Sequence, residues 1–288
     1  MKKTRSDFVF ETICYIFIVL LTLIVLYPVL YVIASSFSSK EALGQGKVFL
    51  WPVDFSLAGY KAVFSYKYIW VGYANTIFYT VVGTAMNVIV TMCCAYPLAR
   101  KDLAGKSFFM KFFAFTMIFS GGMIPNYILM RNLNLINTRW AMLLPSLMSV
   151  YNMVVARTFI QSNIANEILE SAKLDGCDDI HFFFKMVLPL SKSILAVLAL
   201  WYAVAHWNAY FDAFLYLSDK DLYPLQIFLK DILVNSQIAA DFEADQDLFF
   251  ILQLKYALIV VATAPLCLAY PLAQKHFVKG VTVGSVKG

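Results

Sequence analysis

The chain has 288 residues, of which 61% are hydrophobic, 16% aromatic and 14% charged, whereas an average soluble domain is about half apolar and about a quarter charged. With a mean hydropathy of +0.70, this composition excludes an ordinary water-soluble globule and points to an integral membrane protein whose apolar surplus faces lipid. The excess of 23 Lys and Arg over 18 Asp and Glu is too small and too dispersed for a nucleic-acid footprint, so no nucleic-acid partner is expected and the charges read as topology information.

In chain order, a short charged segment, 1–11, precedes an apolar run from Thr12 to Phe37. The run is too long for the apolar region of a signal peptide and no A-x-A site follows it, so a retained first helix is expected. Five further stretches lack charge over about the 20 residues that a helix needs to cross about 30 Å of hydrocarbon. They are Asn75 to Ala99, Phe108 to Met130, Trp140 to Ala156, Ser193 to Leu217 and Leu248 to Ala273. The expected fold class is therefore all-α, a polytopic membrane protein with six transmembrane helices over 12–273, outer loops at 38–74 and 218–247, and a tail at 274–288. Most Lys and Arg outside the two long loops fall on the side of the N-terminus, as the positive-inside rule asks of a chain with both termini cytoplasmic.

Several spans carry proline or glycine: Pro28, Pro97, Gly121, Gly122, Pro125, Pro145 and Pro265. Each proline removes a backbone donor and can kink its helix, which suits a moving, pore-lining bundle, although both residues are ordinary in membrane helices. Gly105-Lys106-Ser107 looks briefly like a phosphate loop, but Arg100 stands where that motif needs its first glycine, so a cytoplasmic turn is expected. Cys14, Cys93, Cys94, Cys177 and Cys267 have no metal-ligand spacing, and no H-E-x-x-H, G-x-S-x-G or C-x-x-C occurs. No catalytic or metal residue is expected, and the chain reads as a transport subunit without an ATPase site of its own.

The segment 163–189 is too polar to cross the membrane and reads as helix, turn, helix. Ser162 or Asn163 can cap a helix through Leu174, Gly176 sits where a helix ends in a left-handed residue, and Asp178 or Asp179 can cap a second short helix ending before Pro189. A structured loop of this length on the cytoplasmic face is expected to dock another protein.

Glu170-Ser171-Ala172, Gly176, Met186, Leu188 and Pro189 resemble the EAA loop of bacterial ABC importer permeases, whose pattern is E-A-A, three residues, G, nine residues, I, one residue, L-P. Ser171 replaces the middle alanine and Met186 the isoleucine. The resemblance implies that small side chains at Ser171 and Ala172 let a short helix enter a cleft of an ATPase subunit. Gly176 would permit the turn behind it, and Glu170 would pair with a basic group there. Gly121-Gly122-Met123-Ile124-Pro125, with the Asn-Leu-Asn-Leu-Ile-Asn-Thr that follows, and Ala205-His206-Trp207-Asn208-Ala209-Tyr210 are similar to the smaller permease subunit of carbohydrate importers, the group of the maltose importer, and within it to the branch for complex oligosaccharides. The closing residues, including Gly284, Ser285, Val286, Lys287 and Gly288, are similar to that group's tail, which in the family reaches the ATPase interface.

His206, Asn208, Tyr210 and Asp212 in the fifth span are the candidate substrate-pathway residues, with a solvated or structural role as the alternative for Asp212 near the outer end. On a continuous helix His206 and Asp212 lie about 120° apart, too far round to form a catalytic dyad. Trp201, Asn208 and Asp212 share one side, and Tyr202, His206 and Tyr210 another. Polar groups interleaved with rings suit a sugar, while helix-to-helix hydrogen bonding is the alternative for His206, and for Asn87 and Asn152. The loop at 218–247 is expected to hold an amphipathic helix with Asp221 as cap, Pro224 in its first turn and Leu225, Phe228, Leu229, Ile232 and Leu233 on one face. The alternating acids Asp241, Glu243, Asp245 and Asp247 follow it, either simply solvated or facing a docked binding protein.

The resemblance thus implies a permease subunit of an ATP-driven importer that moves an oligosaccharide across the bacterial cytoplasmic membrane by alternating access; the alternatives are the same architecture importing a non-sugar solute, or a stand-alone transporter or intramembrane enzyme. Its implied partners are a second permease subunit, an ATPase dimer that binds ATP and Mg in its own chains, an extracytoplasmic sugar-binding protein and membrane lipid. No cofactor is expected in this chain.

Overall fold

The computed structural model describes residues 5–234 and 248–281. Among these the chain is helical, and its one β feature is an isolated antiparallel bridge between Ser38 and Phe55. The helices are α1 (Arg5–Ser36), α2 (Lys40–Gly44), α3 (Ala58–Ser65), α4 (Lys67–Ala99), α5 (Lys106–Ile118), α6 (Met123–Asn132), α7 (Trp140–Leu143), α8 (Val150–Asn163), α9 (Asn166–Leu174) and α10 (Asp179–Phe182). A π turn at Phe183–Val187 leads into α11 (Leu188–Leu190), then α12 (Lys192–Trp207), α13 (Phe211–Tyr216), a 3-10 turn at Lys220–Leu222, α14 (Leu225–Val234) and α15 (Leu248–Val281).

Three helices are long and apolar enough to cross a membrane, Asp7–Ser36, Lys67–Ala99 and Phe249–Ala269. Two bent pairs raise the number to as many as five: Lys106–Ile118 with Met123–Asn132, bent by 110°, and Asp179–Leu190 with Lys192–Trp207, bent by 80°. The fourth expected span, Trp140 to Ala156, is not one helix. Pro145 has no N–H to extend the turn begun at Trp140–Leu143, and helix resumes only at Val150, where Ser149 caps α8 by accepting the Asn152 N–H. The third span breaks at Phe119–Gly122, where Gly122 takes φ +84, a conformation that costs glycine little. Pro28, Pro97 and Pro265, by contrast, sit inside α1, α4 and α15 without interrupting them.

The described residues fall into two compact units. One comprises residues up to Trp70 with Phe228–Ala264. Most of α1 is apolar on every side and uncovered by protein, from Phe8 to Ile33, as a helix solvated by lipid requires. At its C-terminal end the chain turns back through polar contacts. Ser38 donates to the Ala34 carbonyl at 2.7 Å and accepts the Val53 N–H, and the buried Gln253 donates to the Ser38 carbonyl at 2.9 Å. Phe37 stacks on Phe55 with ring centroids 5.7 Å apart, and Tyr31 meets Tyr256 edge-on at 5.8 Å. Gly59 makes the close approach possible, since a Cβ there would lie 3.2 Å from the Gln253 carbonyl oxygen and from Ala257.

The other unit comprises Val71–Ile227 and the residues from Pro265 onward. Its core joins Met92, Tyr96 and Leu98 of α4, Met153 and Ile160 of α8, Ala172 of α9, Phe182 and Phe183, and Ile194 and Leu198 of α12. Asn75 of α4 donates to the carbonyls of Asp221 and Tyr223, Tyr79 to that of Leu222, and Thr76 accepts the Leu225 N–H. The expected amphipathic helix is α14, whose first turn, with Leu225 fully buried, belongs to this unit, while Phe228 and Ile232, also fully buried, belong to the first. Its lead-in differs from expectation: Asp219 rather than Asp221 caps the preceding 3-10 turn. The alternating acids from Asp241 to Asp247 lie outside the described residues.

Gln253→Leu leaves the buried Ser38 carbonyl without its donor, which costs about 1–3 kcal/mol. The expected result is a fall of several degrees in Tm for the detergent-solubilised protein, against little change for an exposed control such as Thr263→Val, which loses only a hydrogen bond within its own helix.

Candidate functional site

The first candidate region is the segment 163–189. Helix α9 starts at Asn166 with Ala165 in the cap position and no side-chain cap, because Ser162 and Asn163 are still in α8, turned back onto the Thr158 and Phe159 carbonyls. Gly176 ends the helix with φ +79, and the Cys177 N–H closes onto the Ala172 carbonyl at 2.9 Å, so the left-handed turn expected there is present. Asp178 caps the next helix by accepting the His181 N–H at 2.6 Å. That helix does not stop before Pro189. It continues through the π turn to Leu190, a wider winding that accommodates a proline with no N–H for the Lys185 carbonyl.

Glu170 and Ser171 are exposed, whereas Ala172 is buried in this chain's own core. Of the two small residues only Ser171 is open to a partner, since at Ala172 α9 packs against its own bundle. The apolar residues that do project are Leu174, 89% exposed, and Ile180, 70% exposed, on either side of the Gly176 turn. Leu188 is half-buried and Pro189 exposed.

The segment is held by a charge cluster not anticipated from the sequence. Arg100 donates from Nε to Asp102 Oδ1 at 2.8 Å, makes a second bond to Asp102 Oδ2, and pairs with Asp179 at the start of α10. Lys173 of α9 reaches Asp102 at 3.3 Å. Hydrogen bonds from Arg100 hold the Asp102 carboxyl below the usual carboxylate range, and Asp102 raises Arg100 in turn. A depressed carboxylate contributes stability above its unfolded pKa of about 3.9, lost only as pH falls through the folded value, so the pair stays ionised at all physiological pH. Both acids are about half exposed, which limits each pair to about 1 kcal/mol or less. Beside the cluster, the C-terminal carbonyls of α4, which have no partner within the helix, are met by side chains. Arg157 donates to Leu98 at 2.9 Å, Gln161 to Ala99 at 3.0 Å, and Lys106 to Ala99 at 3.3 Å and to Arg100, the residue after the helix, at 2.8 Å.

The second candidate region lies around His206. Helix α12 ends at Trp207 and α13 begins at Phe211, so the 100° count from His206 to Asp212 does not run through Asn208–Tyr210. Both residues consequently line one cavity of about 450 Å3, with Asn87, Asn152, Trp201 and Tyr202 among its walls. Asn87 donates to the Ser146 carbonyl, which leaves its Oδ1 to accept from His206 Nε2 at 3.0 Å. Tyr202 Oη accepts the Ser149 N–H at 3.1 Å and lies 2.7 Å from Thr91 Oγ1. Gly83 lets α4 approach, since a Cβ there would lie 2.4 Å from His206 Nε2. His206 therefore makes the helix-to-helix hydrogen bond and also lines the cavity. Asn208 and Tyr210 are outside the lining: Asn208 turns back to the Val204 carbonyl at 2.8 Å and is exposed, and Tyr210 is 44% exposed.

No family model matches the chain. Individual proteins do. It is 40% identical to the polygalacturonan/rhamnogalacturonan transport system permease protein YtcP of Bacillus subtilis (strain 168), over 97% of this chain and 98% of that protein. It is also 40% identical to Protein LplC of the same organism, over 100% and 98%. Its structure matches, with a TM-score of 0.87 and 34% identity over 96% of this chain and 99% of the other, a crystal structure of a bacterial ABC transporter involved in the import of the acidic polysaccharide alginate. The chain belongs to the carbohydrate ABC transporter permeases.

As a carbohydrate permease it is a membrane-embedded transport subunit of a sugar ABC importer. The tail residues Gly284 to Gly288 lie outside the described residues. The helix-to-helix hydrogen bonding read as an alternative for Asn87 is present in this permease, but Thr91 stood in the sequence only as an interruption of an apolar run, and the convergence of Asn87, Thr91 and Tyr202 on the break after Pro145 was not visible there.

Gly83→Ala forces the His206 ring away from Asn87, so its destabilisation and that of Asn87→Ala share one hydrogen bond. The double variant is expected to lose clearly less in Tm than the sum of the single variants; strict additivity would show that Gly83 acts elsewhere.

Proposed function

We propose that this chain is one of two non-identical permease subunits of an importer for an oligosaccharide, resident in the bacterial cytoplasmic membrane with both termini inside. Six passes are made, the fourth in two pieces, α7 and α8, joined by 144–149. The segment 163–189 is the coupling loop, seated on an ATPase subunit that binds ATP and Mg in its own chain. The tail reaches the same interface, and a sugar-loaded binding protein docks on the outer side. The chain itself holds no cofactor.

The observation that carries this reading is the Gly176 turn between two capped or packed helices. It presents Glu170, Leu174 and Ile180 outward, and apolar side chains so exposed on a polar segment gain by burial against a partner. The residues of the EAA pattern then divide their work. Ala172 and Leu188 fasten the loop to the bundle, Gly176 shapes the turn, and Glu170 and Ser171 face the ATPase. Closure of the ATPase subunits on ATP moves the loop, and the ion pairs of Lys173 with Asp102 and of Asp179 with Arg100 pass that movement to the end of α4. Such coupling requires different contacts in two states rather than distance alone. The oligosaccharide reading rests on the names of the two importers above, one for polygalacturonan and rhamnogalacturonan and one for alginate, whose substrates are all polysaccharides.

Purification of the chain from its native membrane in mild detergent is expected to bring with it a second permease and an ATPase. Gly176→Pro, which cannot adopt φ +79, is expected to leave the chain in the membrane while abolishing ATPase association or uptake. Normal uptake by that variant would refute the role given to the loop.

A further inference from the structure

Two of the places where helices break, 144–149 and 208–210, meet at the same cavity of about 450 Å3, within the range of about 300–1,000 Å3 typical of small-molecule sites. Irregular backbone at membrane depth persists only where it is buried in protein or lines a polar cavity, because lipid offers no hydrogen bonds. Asn87 and Tyr202 satisfy the backbone at Ser146 and Ser149. Among the lining groups with no hydrogen-bond partner among the described residues are the Asp212 carboxylate, the Asn152 side-chain amide and the Trp201 indole N–H. Asp212 stands in α13, just beyond the apolar helix that ends at Trp207, and an unpaired carboxylate beside a membrane helix faces solvent or a cavity rather than lipid.

The chemistry of the three is specific. A carboxylate accepts from two hydroxyls at once, an amide both donates and accepts, and an indole offers an apolar face beside its N–H. That is a set for a ring bearing several hydroxyls. The described lining contains one carboxylate and neither Lys nor Arg, so a sugar carboxylate entering it would meet Asp212 with no cation to neutralise either charge.

We propose that this cavity is a sugar subsite carried by this subunit, that it seats an uncharged ring, and that Asp212 accepts the ring's hydroxyls while Asn152 and Trp201 complete the contact. The proposal rests on the reading of the chain as an oligosaccharide permease and narrows it: the substrate contains at least one neutral residue, and any uronate residue lies elsewhere in the path.

The test uses the intact importer, purified with its partner permease and ATPase. Ser146→Cys places a thiol in the lining, and its reaction with a small methanethiosulfonate is followed by mass spectrometry at that position. Galactotriose is the neutral probe and trigalacturonate the anionic one, each applied without nucleotide and in the vanadate-trapped state. Galactotriose is expected to slow the reaction in at least one state and trigalacturonate in neither. Asp212→Asn, of nearly the same shape, is expected to raise the galactotriose concentration for half-protection about tenfold or more, equivalent to about 1.4 kcal/mol, with Asn152→Ala acting in the same direction. Equal protection by trigalacturonate would overturn the neutral-ring assignment. Uptake of either probe by the reconstituted importer, without protection and without effect of Asp212→Asn, would overturn the subsite and leave the oligosaccharide reading intact. Failure of the importer to take up any sugar offered with its binding protein would overturn that reading, and the subsite with it.

Discussion

Backbone amides at bilayer depth have no water to bond with, and the interior of this subunit follows from that constraint. Long helices such as α4 and α15 meet it internally, even where proline removes a donor. The break after Pro145 cannot, and there the chain supplies Asn87, Tyr202 and Ser149 to bond the exposed backbone groups. Those side chains in turn fix His206 through Asn87, and Gly83 is needed because the imidazole lies where a Cβ would be. One interruption in hydrogen bonding thus organises α4, α8 and α12 around a cavity.

A similar logic operates at the opposite end of α4. Its last carbonyls have no partners within the helix, and Arg157, Gln161 and Lys106 bond to them from α8 and α5. Arg100, the next residue, is thereby presented to Asp102 and Asp179, so the end of a membrane helix and the start of α10 share one guanidinium. Each exposed pair is weak by itself. The bidentate bond to Asp102, two residues away, fixes the guanidinium, and single ion pairs, Asp179 with Arg100 and Lys173 with Asp102, then join the 163–189 segment to the α4 terminus.

Where sequence reasoning failed, it assumed that periodicity continues. The wheel separated His206 from Asp212 by assuming a helix through Asn208, and the break there brings both to one cavity. The small residues at 171 and 172 look equivalent in the sequence, yet the turn of α9 sends Ala172 into the bundle and leaves Ser171 outside. Pro145 broke its span while Pro28, Pro97 and Pro265 sit inside uninterrupted helices, a difference that the residue type alone does not carry. Arg100 is met in the sequence only as the residue that breaks a phosphate-loop pattern, since nothing local links it or Asp102 to Asp179, 77 positions later than Asp102 in the chain.

Composition, the charge-free runs and the spaced residues from Glu170 to Pro189 were sufficient, from sequence alone, to establish a helical membrane protein and its resemblance to importer permeases. These are local properties: hydrophobic length sets what lipid can solvate, and the Gly176 turn needs only a residue that tolerates positive φ. Which polar residues pair inside the membrane and which groups are left facing a cavity were decided by tertiary structure. Each depends on donors and acceptors brought from distant helices, and a one-dimensional pattern carries no information on which of them meet.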